Sequence, residues 1–112
     1  MTTLRYHTSA ERPEAQMWIH DDDGNLIDFA TGYTFVLKIG QPGNPALVTK
    51  NTGITGATGA GVEPTGTPNV TVAWAFDELD ITPAHYTWQL TATNSGNDRV
   101  FQGDMRIDDV IT

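Results

Sequence analysis

A chain of 112 residues with 38% hydrophobic side chains fits one domain with a single core, in which roughly two thirds of the extended chain's surface can be buried. Fourteen acidic against six basic side chains leave a formal charge of -8, and no Lys/Arg cluster occurs, so binding to nucleic acid or to anionic membranes is excluded as an expectation. The absence of cysteine removes disulfides, thiolate metal sites and cysteine nucleophiles. The start, MTTLRYHTSAERPE, lacks the basic and apolar regions of a secretory signal, and no window is long and apolar enough to span a bilayer. The mature chain is therefore expected to begin near Met1.

In chain order, Leu4 and Tyr6 alternate with Arg5 and His7 as a short first strand, and Ser9 to Pro13 is a polar break. Residues 1–14 read as an N-terminal arm. Ala15 to His20 is apolar enough for a second strand. The DDDGN that follows is turn chemistry, since Asp, Asn and Gly tolerate left-handed backbone, and Leu26 to Phe29 reads as the return strand.

The clearest pattern follows. Tyr33, Phe35, Leu37 and Ile39 alternate with Thr34, Val36, Lys38 and Gly40, the two-residue period of a strand with one buried face. QPGNP at 41–45 is a turn. Ala46 to Lys50 reads as a short edge strand, on which Lys50 would discourage pairing with other chains.

The composition changes at GITGATGAGVEPTGTP, residues 53–68, which is almost wholly Gly, Thr, Ala and Pro. Such a stretch buries too little apolar surface to offset its backbone entropy, so a mobile surface loop is expected, or a loop that orders against a neighbouring subunit. Ile54, Thr58 and Val62 within it, together with Trp18, are the candidate partner contacts. For Trp18, a core or interface position outweighs ligand stacking, because Met17 and Ile19 on either side leave its phase ambiguous.

Val70, Val72, Trp74 and Phe76 alternate as another strand, and 76–83 is a polar connection. Tyr86, Trp88, Leu90 and Ala92 then alternate with Thr87, Gln89, Thr91 and Thr93, and Asn94-Ser95-Gly96-Asn97 turns the chain into a last strand through Phe101, Gly103, Met105 and Ile107. No segment longer than a turn has helical period. The fold class expected is all-β, an immunoglobulin-like antiparallel sandwich of about seven strands, with Trp74, Trp88, Tyr33, Tyr86, Phe35, Phe76 and Phe101 on the inward phase.

Catalytic signals are weak. Asp21, Asp23, Gly24 and Asn25 look like the start of a calcium loop, but no glutamate closes the pattern, so a hairpin turn is the better reading. His7, His20 and His85 stand far apart, Asp104, Asp108 and Asp109 read as solvated charge, and neither a nucleophile elbow nor a Walker loop occurs. No enzyme activity, cofactor or metal is expected.

The segment ITPAHYTWQLTAT resembles the corner before the sixth strand of fibronectin-type and immunoglobulin-like domains, with Tyr86 as the corner tyrosine. More widely, DDDGNLIDFATGYTFVLKI, NVTVAWAF, PAHYTWQLTAT and RVFQGDMRIDDV together resemble the immunoglobulin-like N-terminal domain of phage baseplate upper proteins and related tailed-phage virion proteins. Gly24, Asp28, Thr31, Tyr86, Trp88, Gly103, Ile107 and Val110 stand at the family's turn and core positions. Ala84-His85 replaces the usual glycine before the tyrosine, and Phe29 the usual leucine. The resemblance implies a structural subunit of a bacteriophage virion, in tail, baseplate or head, that contacts other virion proteins and copies of itself. The alternative is a carbohydrate-binding or adhesion module, which would need an exposed aromatic groove.

Overall fold

The computed structural model describes residues 4–7, 14–75, 78–79 and 81–108. Among them are eight strands and no helix: β1 (Leu4–His7), β2 (Ala15–Met17), β3 (Thr34–Gly40), β4 (Val48–Lys50), β5 (Ile54–Gly56), β6 (Val70–Val72), β7 (Ala84–Asn94) and β8 (Asn97–Asp108). One sheet has the order β1-β8-β7-β3-β4 and the other β2-β6-β5, which makes the protein an all-β sandwich. Every pairing is antiparallel except that of β1 with β8, which is parallel from Leu4↔Met105 to His7↔Asp108.

The β7–β8 hairpin forms the centre of the larger sheet. Its two-residue loop places Ser95 at φ 51° and Gly96 at φ 80°, the paired left-handed conformations whose twist matches that of the flanking strands. Asn94 therefore faces Asn97, and the register carries on to Ala84↔Ile107. Tyr86, Trp88, Leu90 and Ala92 are buried along β7 as the alternation requires, and Ile39 and Gly103 flank Trp88 on the neighbouring strands. A glycine there leaves room beside the indole.

These side chains, with Leu37, Met105 and Ile107, meet Ala15, Met17, Val70 and Val72 of the smaller sheet to form the core. Ile19, Ile27, Phe29 and Leu79 close its margins from the connections. Tyr33, Phe35, Trp74 and Phe101 pack against it half-buried, and Phe29 stands edge-on to Tyr33, Phe35 and Phe101 at 4.9, 5.6 and 6.1 Å between ring centroids.

Several expectations are corrected. The second strand ends at Met17, and Leu26 to Phe29 forms no strand: it carries the bridge His20↔Leu26 and the backbone bonds from Ile27 N to Ile19 O (3.1 Å) and from Phe29 N to Ala57 O (3.0 Å). The reason is Asn69, which is fully buried. Its amide donates to Met17 O (3.0 Å) and its carbonyl accepts from Ala57 N (2.9 Å). Its side-chain oxygen accepts from Ile19 N (2.8 Å), while Nδ2 donates to Ile19 O (2.8 Å) and Ile27 O (2.9 Å). One carboxamide thus stands in for the ladder where the two segments diverge.

The Gly/Thr-rich segment 53–68 is not wholly loop. It contributes β5, antiparallel to β6, and then a turn closed by the reciprocal bonds of Ala60 and Thr67 at 2.9 and 2.7 Å. Lys50 does not guard the edge. Its register partner is Leu37, so it lies on the core side and is buried. Part of the expected N-terminal arm is the sheet strand β1. Strand β6 stops at Val72, and Phe76, Asp109, Val110 and the side chains of His7 and Asp108 lie outside the described residues.

Candidate interaction surface

Alternation that buries one face of β3, β7 and β8 presents the other to solvent. Register arranges that outer face in rows: Val36–Thr91–Val100, then Lys38–Gln89–Gln102 with Thr49 beside Lys38, then Gly40–Thr87–Asp104. The two central rows hold hydroxyls, carboxamides, two valines and one ammonium, and no carboxylate. Val100 is 56% exposed.

The turn after β3 folds over one end of this face. It is closed by Asn44 N donating to Gln41 O at 3.0 Å, and Gln41 Nε2 reaches His85 O at 3.4 Å. Between turn and sheet lies an open concavity of about 340 Å³, lined by side chains that include Lys38, Gln41, Asn44, Thr87, Gln89 and Gln102. The lining mixes these polar side chains with Pro42, Ala46 and two glycines, and holds a single cation and no aromatic ring. Such a surface offers hydrogen bonds and contact area.

The four candidate contacts are not alike. Trp18 is 5% exposed, and its Nε1 has no hydrogen-bond partner, so it belongs to the buried part of the molecule rather than to a stacking platform. Ile54 on β5 packs half-buried against the core. Thr58 is exposed, and its Oγ1 donates to Asp28 Oδ1 at 3.2 Å, while Asp28 also accepts from Ala30 N at 2.9 Å. Val62, 65% exposed beyond the Ala60–Thr67 bridge, is the one that offers free apolar surface.

The acidic turn is a hairpin turn stabilised by its own first residue. Asp21 Oδ1 accepts from Asp23 N and Asn25 N, both at 3.0 Å, and Asp21 N donates to Asn25 O at 2.8 Å. His20 and His85 are exposed. Among the described residues no three His, Asp or Glu side chains converge as metal ligands.

The corner tyrosine is formed: Tyr86 OH donates to the carbonyl of Thr82, four residues upstream. Near it, Lys50 Nζ meets Glu78 Oε1 at 2.8 Å and sits 5.9 Å from the Trp74 ring centroid. Burial pushes the Glu78 carboxyl upward, but the amide of Ala75 (2.6 Å) and the Lys50 ammonium outweigh it and hold its pKa below the ordinary value. This ion pair ties the connection before β7 to the edge strand β4.

Compared with known proteins, the chain matches no family model, no curated protein and no solved structure. The surface must be read from its own chemistry. What sequence reasoning missed is that the outward positions of β3, β7 and β8 form one polar field whose two middle rows hold no carboxylate. The signal was the Thr/Gln spacing at 87, 89, 91 and 102, which only acquires meaning once register sets those residues side by side.

Proposed function

We propose that the chain is a structural subunit of a bacteriophage virion, an immunoglobulin-like domain that works through protein–protein contacts in tail, baseplate or head. The observation that carries this reading is where the family-like residues fall. Gly24 lies in the turn after Asp21, Tyr86 makes the corner bond, Trp88 is fully buried beside Gly103, and Ile107 is in the core. That Gly24, Tyr86, Trp88, Gly103 and Ile107 fall in a turn, a corner and the core supports the reading.

The strand arrangement supports the immunoglobulin-like part. The larger sheet pairs the first strand in parallel with the last, and the smaller sheet sets β2 beside β6 and β5, an arrangement of the kind found in sandwiches with crossed sheet connections. The polar outer face, rich in hydroxyls and carboxamides, supports a role in contact. The carbohydrate-binding reading draws less support, since Trp18 is buried and no aromatic side chain lines the concavity.

The test is co-purification. Tailed particles released from a host that carries this coding sequence are banded on a density gradient and analysed by mass spectrometry. Peptides of the chain in the particle band, in fixed ratio to the major virion proteins, are the expected result. A chain confined to the soluble fraction overturns the proposal.

A further inference from the structure

Among the described residues only the turn at 41–45 folds over the outer face of the larger sheet, at one end, and the charges of that face are arranged in a way that suits one particular occupant. The chain carries 14 acidic and 6 basic side chains, so two copies repel one another over most of their surface. The rows Val36–Thr91–Val100 and Lys38–Gln89–Gln102 carry no carboxylate, which makes this a place where two such copies can approach without like charges meeting. Interface centres are depleted of acidic side chains in the same way.

Area is of the right order as well. β3, β7 and β8 have 7, 11 and 12 residues. At about 3.4 Å per residue and about 4.8 Å between strands they present a field of about 500 Å², to which the turn at 41–45 adds. A standard interface covers about 800 Å² per partner.

The decisive feature is a diagonal. Lys38 on β3 and Asp104 on β8 stand on opposite sides of β7, one register row apart, both exposed. Two strand spacings and two residues separate their Cα atoms by about 12 Å, and the two side chains do not pair with each other within the chain. Neither has an ion-pair partner among the described residues. A two-fold axis parallel to the sheet and above its outer face, crossing β7 between Thr87 and Gln89 at right angles to this diagonal, sets each of the two positions over the other in the second copy. In this pair the face is self-complementary in charge, as an isologous contact requires.

We infer that the outer face of the five-stranded sheet docks onto the same face of a second copy, with Lys38 of each copy set against Asp104 of the other. The row of Val36 and Val100 supplies apolar contact. The carboxamides of Gln41, Asn44, Gln89 and Gln102 hydrogen-bond across the concavity, directly or through trapped water. The inference rests on the assembly reading in naming which surface assembles.

Light scattering and sedimentation from micromolar to millimolar protein test it. The wild type is expected to form dimers. Lys38→Asp and Asp104→Lys, each placing like charges together twice per dimer, raise the dissociation constant by about a hundredfold or more. The double variant Lys38→Asp/Asp104→Lys returns to within about tenfold of wild type. Near-UV circular dichroism confirms that all three are folded. A wild type that stays monomeric throughout, single reversals that leave association unchanged, or a double variant no better than the singles each overturn the inference. Co-purification separates it from the proposed function. A monomer found in particles defeats this interface alone, and a dimer absent from particles defeats the virion role alone.

Discussion

The carboxamide of Asn69 bonds both the amide and the carbonyl of Ile19, 50 residues upstream, at 2.8 Å each. Its Nδ2 also donates to Ile27 O, while Ile19 O keeps a second donor, the amide of Ile27 at 3.1 Å. Asn69→Ala therefore strands two backbone groups, Ile19 N and Ile27 O. At about 1 to 3 kcal/mol for each unsatisfied buried group, a loss of at least about 2 kcal/mol is expected by urea denaturation. A loss under about 1 kcal/mol would show that the segments hold together without it.

Trp88 is fully buried between Ile39 and Gly103. Trp88→Ala removes its packing and leaves a cavity, for an expected cost of about 3 to 5 kcal/mol, enough to unfold much of a population of marginal stability. Thermal denaturation followed by circular dichroism reads this directly. A shift worth less than about 1 kcal/mol would contradict the burial.

Tyr86→Phe removes only the hydroxyl that donates to Thr82 O. Thr82 is exposed, so water can solvate the freed carbonyl, and the cost should be the net worth of one hydrogen bond, about 1 kcal/mol. The same denaturation experiment, with hydrogen exchange at 84–86, checks that the change is confined to the corner.

The Lys50–Glu78 pair predicts an acid response. Glu78 has a folded pKa below its ordinary value of 4.5, so its contribution is fully present above that value and is lost as pH falls through the folded one. Melting temperature measured from pH 7 to pH 3 should fall more in wild type than in Glu78→Gln below about pH 4.5. Lys50→Met should be milder than Glu78→Gln at pH 7, because the first removes the buried charge and the second leaves it unpaired. Equal acid profiles in wild type and Glu78→Gln would show that the pair does not govern acid stability.

Much of the fold was legible because its signals are local. The alternation in 33–40 and 86–93, the Asn-Ser-Gly-Asn turn and the tyrosine before a long strand each act within a few residues, where pleat geometry and backbone sterics suffice. The candidate contacts were less legible. Trp18 and Ile54 lie where burial depends on what packs over them, and only Val62 offers the free apolar surface its composition suggests.

By itself, then, the sequence determined an all-β chain, the β7–β8 hairpin and the inward set around Trp88, since period and turn chemistry are properties of neighbouring residues. Tertiary structure alone decided that Lys50 turns inward to Glu78, that Gly/Thr-rich residues 54–56 become a strand, that Asn69 replaces a stretch of ladder, and that Lys38 and Asp104 share one face. Each of these depends on which distant strand lies alongside and in what register. A shift of one residue in register would reverse every face, and that choice is made by the packing of the whole core rather than by any segment of the chain.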